Sequence, residues 1–544
     1  MIESRGITRR DGSSNYGVAQ LVEAMMRPGF YPDSPAGVEL KQTHISYVFV
    51  AGACVYKVKK PVRFAFLDCS TLAERFRYCR EEVRLNTRLS PLVYIGVLAI
   101  FKRGDAFVLG PEVRAEHPEA VEYAVKMRRL PEDRMLDRLL AVGQVDSVTI
   151  RAIAARIAEF HASAASKRGW TYGSAAAIWR SVIAEIAQDE GFVGNSLRKD
   201  QFKEIDAFFR AFIAAHWRTL NERACEGRVR EGHGDLRAEH ICVRGREIDV
   251  IDCVEFSERL RYADVASEIA FLAMDLERLG ALGLADELVE AYAEIIGDEE
   301  LAMLVPFYKC YRACVRGKVE TLRSLGREVG ATERERALKL AREYFALASQ
   351  YARGTSPALI VVCGLSGSGK STVAHMLQHR RGFKTINSDR VRKGLAAVSA
   401  REHVRTDYGT DIYSERFTRV TYDAMLREAE SLLGEGRGAI LDATFKSAAD
   451  RYRALAIAAR RGVPVLFVEC VVSEDEAMRR LKRRESIPGE VSDATPEIYQ
   501  RQRADFEPIR EISLENHLRI DTTASREHIV AKVEDSLRDL SLTR

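Results

Sequence analysis

Residues 364–372 read GLSGSGKST, a GxxxxGK[ST] spacing that puts Gly364, Gly369, Lys370 and Ser371 on its fixed positions. The residue types follow from what a triphosphate demands. Gly364, Gly367 and Gly369 let backbone N–H groups around Ser366, Ser368 and Thr372 turn inward to phosphate oxygens, and the helix that follows adds the positive end of its dipole. Lys370 can reach the β/γ-phosphates, and Ser371 can hold Mg²⁺. Farther on, NSDRVRKGL offers Asp389 as general base for an acceptor hydroxyl and Arg392 as a grip on the acceptor or the moving phosphoryl group. Ser388 or Asp389 is also placed to cap the next helix. GAILDATF puts Asp442 at a strand end, where a carboxylate suits the Mg²⁺ shell, with Thr444 and Arg451 beyond it as candidates for an acceptor pocket. Arg480 and Arg484, one turn apart in EAMRRLKRRE, could fold over the phosphates as a lid and neutralise developing charge.

Positioning these side chains takes a parallel sheet. LIVVC, FKTIN, GAILDA and VLFVEC alternate with helical runs, the pattern that builds parallel strands with crossover helices. Ligands of such sheets gather at the carboxyl ends of the strands, where Asp389 and Asp442 fall. On GLSGSGKST, SDRVRKGL, LDATF and RRLKRR this segment resembles the P-loop kinases that include polynucleotide kinase and zeta-toxin-like enzymes. The resemblance implies ATP as phosphoryl donor, Asp389 as base and Arg392 as its companion arginine. It fixes the reaction better than the acceptor.

A chain of 544 residues exceeds one hydrophobic core, so two or three domains are expected. Hydrophobic residues at 46% and charged residues at 30% fit a soluble globular protein. A net charge of +4 supplies no strong single-sign field, so nucleic acid and membrane are not indicated as partners, although a local basic patch stays open. The 10 cysteines include no CxxC pair. Cys310 and Cys314, a turn apart in KCYRAC, read as small helix residues rather than a metal or redox pair. Scattered thiols, an N-terminal stretch MIESRGITRRDGSSNYG without an apolar core, and no apolar run near the roughly 18 residues that span a bilayer point to the cytoplasm.

Upstream, VAQLVEAMM reads as a short amphipathic helix, and VELKQT, SYVFVAG and CVYKVKK read as three strands. Leu72, Phe76, Cys79, Val83 and Leu85 recur near the helical period across 71–89. YIGVLAIFKRGDAFVLG and EYAVKMRRL supply further strands; 132–218 and 262–350 read as helical, with strand signals at HICVRG and REIDVIDCVEF between them. HGDLRAEHICV followed by IDVIDCVEF resembles the catalytic hairpin of aminoglycoside phosphotransferases and related small-molecule kinases. The resemblance implies Asp235 as the acceptor-orienting carboxylate, position 240 as a metal ligand and Asp252 as a second metal ligand. It implies Lys57 as the strand lysine on the phosphates and Glu82 as its helix partner, with Lys59 and Glu81 as neighbouring competitors, and Asp264 as a brace of the catalytic loop. Two departures stand out. His240 occupies the position of the usual asparagine, and imidazole is a poorer ligand for hard Mg²⁺ than an amide oxygen. No GxGxxG loop is present; the turn THIS at 43–46 stands in its place. His161 reads as a structural helix residue, and Arg312, Arg316 and Lys318, at near-helical spacing, as a solvated basic face in preference to the lining of an anionic acceptor site.

On THISYVFVAG, VYKVKKPV, FLDCSTL, EEVRLN and HGDLRAEHIC, the complete order resembles a bacterial family described as bifunctional aminoglycoside phosphotransferase/ATP-binding protein. The expected fold is α/β: a kinase-like N-lobe with N-terminal helix at 1–130, a helical C-lobe at 131–352, a linker at 353–358 and a P-loop parallel-sheet domain at 359–544. The expected function is transfer of the γ-phosphoryl group of Mg·ATP to a hydroxyl of a small molecule, with the first module catalytic or regulatory. A polynucleotide 5′-hydroxyl kinase and a regulatory ATPase whose nucleotide state controls a partner are the alternatives.

Overall fold

The computed structural model describes residues 17–64, 67–167, 171–326, 329–354, 357–396, 414–484 and 496–542. The chain gathers into two compact units, Met1–Lys167 with Val229–Ala263, and Arg168–Arg228 with Asp264–Arg544. The hairpin that carries Asp235 and Asp252 therefore belongs to the first unit. The helices between 264 and 354 group with the P-loop segment.

The first unit is built on a six-stranded antiparallel sheet in the order Val38–Gln42, Ser46–Ala51, Cys54–Lys59, Ala120–Arg128, Tyr94–Arg103 and Ala106–Glu112. Strand alternation sorts its side chains. Tyr56 and Val58 join Phe49, Ile100 and Ala124 under the helix Val18–Met25. The opposite face packs Val97, Ala99, Tyr123 and Val125 against Phe76 and Cys79 of the helix Leu72–Asn86. Thr71 caps that helix by accepting from the Glu74 N–H at 3.2 Å. A small hairpin pairs Ile241–Arg244 with Glu247–Val250.

The stretch expected to be helical from 262 to 350 begins as a short strand, Tyr262–Asp264, and then divides, in the second unit, into Val265–Arg278, Leu282–Ile296, Leu301–Ser324 and Ala331–Gly354. Gly297, at φ +63°, ends the second of these helices in the left-handed conformation that glycine adopts readily. Beyond them lies a five-stranded, all-parallel sheet in the order Lys384–Asn387, Ala439–Asp442, Leu359–Cys363, Val465–Val471 and His517–Asp521. The fifth strand, HLRID, escaped the sequence reading because it is a partly polar edge strand with one buried side chain. Leu359, Val361 and Cys363 face the core under Glu415–Gly434 and Ala448–Arg461, whereas Ile360 and Val362 face the core under Lys370–Arg381 and Arg526–Leu542. Coverage on both faces explains why LIVVC is a continuous apolar run.

Among the described residues no helix is long and apolar enough to cross a membrane.

Candidate functional sites

The central strand Leu359–Cys363 delivers the glycine loop to the start of the helix Lys370–Arg381. Three glycines take positive φ: Gly364 at +130°, Gly367 at +77° and Gly369 at +89°. A Cβ at Gly364 would lie 2.5 Å from the Cys470 carbonyl oxygen, and one at Gly369 would lie 2.9 Å from Thr522 Oγ1. The cradle therefore has no room for side chains at these points, which fits a loop whose amides must approach phosphates. The loop is bonded to its own surroundings. Lys370 Nζ donates to Leu365 O at 2.8 Å, and the Ser366 N–H donates to Gln502 Oε1 at 3.0 Å. Thr522 Oγ1 donates to Ser368 O at 2.7 Å.

A cleft of about 730 Å³ opens from this loop, and Lys370, Ser371, Asp389, Arg392 and Asp442 all line it. Asn387, at the end of its strand, fixes two of them. Its Nδ2 donates to Asp442 Oδ2 at 2.7 Å, and its Oδ1 accepts from the Asp389 and Arg390 N–H groups at 3.0 and 3.1 Å. Asn387, rather than Ser388 or Asp389, thus caps the helix Ser388–Leu395. Arg392 Nη1 donates to Asp389 Oδ1 at 3.0 Å and orients that carboxylate. Thr444 lines the cleft, but Arg451 does not. Arg451 is fully buried and donates to the carbonyls of Phe445 and Glu507 at 2.8 and 3.1 Å, bracing the loop after the strand. The far wall holds charged pairs that sequence reading missed: Lys446 with Asp505 at 2.9 Å, and Arg453 with Asp423 and Asp450. Arg480 lies beside Gly369 in an adjoining cavity of about 360 Å³ with Thr372, Val373 and Met376, and its Nη1 donates to Thr522 Oγ1 at 2.9 Å. The Arg484 side chain lies outside the described residues.

In the first unit, Lys57 and Lys59 share a face of their strand, and both reach Glu82. Lys57 Nζ is 2.9 Å from Glu82 Oε1, and Lys59 Nζ is 2.5 Å from Glu82 Oε2. Their outer partners differ. Lys57 donates to Asp252 Oδ1 at 2.6 Å, and Lys59 pairs with buried Glu255. Burial opposes the charge of Lys57, but Asp252, Glu82 and Glu255 outweigh it and raise its pKa. Lys57 in turn pulls the Asp252 carboxyl well below the usual range. Asp252 holds φ +66°, a costly conformation for a residue with a Cβ, and its side chain is 49% exposed.

Asp235 is clamped by Arg237, whose Nε lies 3.1 and 3.2 Å from its two oxygens and whose Nη2 lies 3.0 Å away. His240 Nδ1 is 2.8 Å from Asp235 O. A carbonyl only accepts, so Nδ1 carries the proton and, in the neutral ring, Nε2 holds the lone pair. Nε2 is 3.8 Å from Asp252 Oδ2. Among the described residues no group of three or more His, Cys, Asp or Glu could hold a metal ion.

Several residues read as surface are internal. Arg312 is buried and donates to Ser267 Oγ at 3.1 Å, Arg316 donates to Glu320 at 2.8 Å, and Lys318 donates to Glu185 at 2.5 Å. They are braces of the helical segment and form no solvated face. Asp264 pairs with Arg223 through two 2.8 Å hydrogen bonds and caps its own helix. His161 is buried, and Cys310 and Cys314 are free, buried thiols.

Residues 359–509 match the family model for an AAA domain. The Mycobacterium tuberculosis protein Rv2004c is 32% identical over 499 residues, covering 91% of this chain and 94% of that protein. The chain belongs to the Rv2004c family. The Mycobacterium bovis member, Mb2027c, matches to the same extent. Among solved structures, a choline/ethanolamine kinase family protein from Mesorhizobium loti aligns with 61% of this chain and 99% of its own at 14% identity and a TM-score of 0.37. A gluconokinase from Sinorhizobium meliloti 1021 aligns with 35% and 95% at 18% identity and a TM-score of 0.26. This Rv2004c relative thus carries an AAA domain built around the glycine-rich loop and, upstream of it, a strand lysine paired with a helix glutamate together with a small hairpin.

Two signals for the missed residues were present in the sequence. Asn387 directly precedes Ser388, and asparagine is a favoured cap. Arg237 sits two residues after Asp235. Gln502, Arg453 and Asp505 carry no local signal, since each reaches the cleft only through tertiary packing.

Proposed function

We propose that this protein is an ATP-dependent kinase for a small hydroxyl-bearing molecule and that the reaction runs in the P-loop cleft. One observation carries the reading: Lys370, Ser371, Asp389, Arg392 and Asp442 line a single cleft with charged side chains on its far wall. The loop amides and Lys370 grip the phosphates of ATP once Lys370 leaves Leu365 O. Asp389, aimed by Arg392 and by the Asn387 cap, takes the proton of the acceptor hydroxyl as that oxygen bonds to the γ-phosphorus and the bond to ADP breaks. Arg480, and Arg484 beyond it, balance charge on the nucleotide side. Ser371 and the Asp442 oxygen not bonded to Asn387 are the residues to hold Mg²⁺, which supplies Lewis-acid neutralisation when bound. The Lys446–Asp505 and Arg453–Asp423–Asp450 groups suit a polar acceptor.

The module at 1–352, joined through 353–358 to the P-loop module at 359–544, is the second candidate for nucleotide chemistry. Its Lys57–Glu82 pair, with Asp252 against Lys57, supports ATP binding there. Asp235 would meet an acceptor, and Asp252 with His240 would meet a cation.

The test is incubation with γ-labelled ATP, Mg²⁺ and a bacterial extract, beside Lys370→Ala and Asp389→Asn. The expected result is one labelled small molecule, lost in Lys370→Ala and lowered about 10²–10⁴-fold in Asp389→Asn. Label in nucleic acid would establish the polynucleotide kinase instead. Label persisting in both variants would move the reaction to the first module, and release of phosphate alone would favour the regulatory ATPase.

A further inference from the structure

A second cavity of the P-loop unit lies away from the catalytic cleft. Phe383 and Gly438 line it and directly precede the strands Lys384–Asn387 and Ala439–Asp442. It therefore sits at the amino ends of strands whose carboxyl ends bear Asn387 and Asp442. Its volume of about 420 Å³ falls within the roughly 300–1,000 Å³ typical of small-ligand pockets.

Its opposite wall is one face of the helix Lys199–Cys225. Phe208, Ala211, Phe212 and His216 recur there at helical spacing, and Met303 joins them from the helix Leu301–Ser324. The Phe212 ring stacks on Phe307 at 4.6 Å between centroids and leans on the His216 ring at 4.3 Å. The walls are thus apolar and braced from behind.

Two polar groups break that lining without strong partners of their own. Arg437 Nη1 is 3.3 Å from Glu435 Oε2, whose side chain is half-exposed, and its Nη2 is 3.2 Å from Met303 Sδ, a weak acceptor. The buried His216 ring makes no hydrogen bond among the described residues. Burial, reinforced by the charge of Arg437, holds its pKa down to about 4, so at neutral pH it is an uncharged ring with an N–H to donate. Of the other charged residues around the cavity, Arg353 is half-exposed and lies 3.6 Å from Glu204. Arg381 grips Glu534 at 3.0 and 2.9 Å, and Glu204 accepts from Ser349 at 2.5 Å. A guanidinium whose second fork faces sulfur, next to an uncharged N–H donor, lacks an acceptor that an anion would supply.

We propose that this cavity binds a small apolar carboxylate, with its head on Arg437 and His216 and its hydrocarbon body between Phe208, Phe212, Met303 and Phe383. The inference is independent of which acceptor the catalytic cleft takes. Glu435 and Met303 are the contacts that the carboxylate would outcompete.

Calorimetric titration of the full chain at neutral pH, with octanoate and 2-naphthoate as probes and octanamide as the uncharged control, tests it. Saturable binding of both carboxylates is expected. Arg437→Gln should weaken them about ten-fold or more, the loss carried by a charged hydrogen bond, while leaving octanamide unchanged. Ala211→Trp, which fills the cavity, should abolish binding of all three while ATP affinity stays at the wild-type value. Should that variant fail to fold, Arg437→Gln decides alone. Absence of saturable binding, or octanoate affinity unmoved by Arg437→Gln, would overturn the proposal.

Discussion

Replacing Glu277 with glutamine is the sharpest test of how the P-loop helix is held. Glu277 lies in the last turn of Val265–Arg278 and is almost fully buried. Its Oε1 accepts from Lys309 Nζ at 2.7 Å, and its Oε2 accepts from Arg380 Nη1 at 3.1 Å and from the Tyr351 hydroxyl. Arg380 belongs to the helix Lys370–Arg381, so one carboxylate ties the far end of the phosphate-binding helix to two helices of the bundle. Burial opposes ionisation of Glu277, but Lys309 and Arg380 reverse that effect and hold its carboxyl at about 2 against an ordinary 4.5. At 1.36 kcal/mol per pH unit the difference is worth about 3 kcal/mol. The depressed value sets the sign. The stabilisation is complete above the ordinary carboxyl pKa and disappears as pH falls through that of the folded state.

Glu277→Gln keeps the shape but leaves two buried cations without their counter-charge, and breaking such a pair costs about 3–5 kcal/mol. Urea unfolding followed by tryptophan fluorescence reads this unit, because Trp179 and Trp217 fall within it. The variant should be less stable by about 3 kcal/mol at neutral pH. The gap should narrow as pH falls from 4.5 toward 2. A loss below about 1 kcal/mol, the level of a surface pair, or a gap that ignores pH would refute the reasoning.

Three further outcomes are expected. Gly364→Ala forces a Cβ to 2.5 Å from the Cys470 carbonyl at φ +130°, and the strain of about 1–3 kcal/mol should lower ATP affinity about ten-fold or more in equilibrium dialysis. Gln502→Ala removes the acceptor on the Ser366 N–H and frees that amide for phosphate, so calorimetry should show ATP binding several-fold tighter; unchanged or weaker binding would mean that the contact does not compete. Lys59→Met leaves Glu82 and Glu255 without their shared buried cation, which should cost the first unit about 3–5 kcal/mol and speed amide hydrogen exchange in the strand Cys54–Lys59.

Much of the P-loop segment was legible because its signals are local. GLSGSGKST needs only a preceding strand and a following helix, and of the five strands four were read, three of them from apolar runs. Arg451 misled because an arginine in the first turn of a helix reads alike whether it faces a ligand or, as here, two backbone carbonyls and the Glu511 carboxylate. Arg312, Arg316 and Lys318 misled for a related reason. Helical spacing shows which residues share a face, but whether that face meets water or a buried glutamate depends on neighbours far away in sequence.

The sequence alone determined most element types, the glycine cradle and the candidate carboxylates, since backbone conformation and period are set largely by residues within a few positions of one another. It placed Lys57 and Lys59 on one face but could not rank them. Tertiary structure gave Lys57 to Asp252 and Lys59 to Glu255, partners nearly two hundred residues away. It likewise brought Gln502 to the phosphate loop and Arg437 to His216. Such pairings depend on where distant segments meet in the folded chain, and no local periodicity encodes that position.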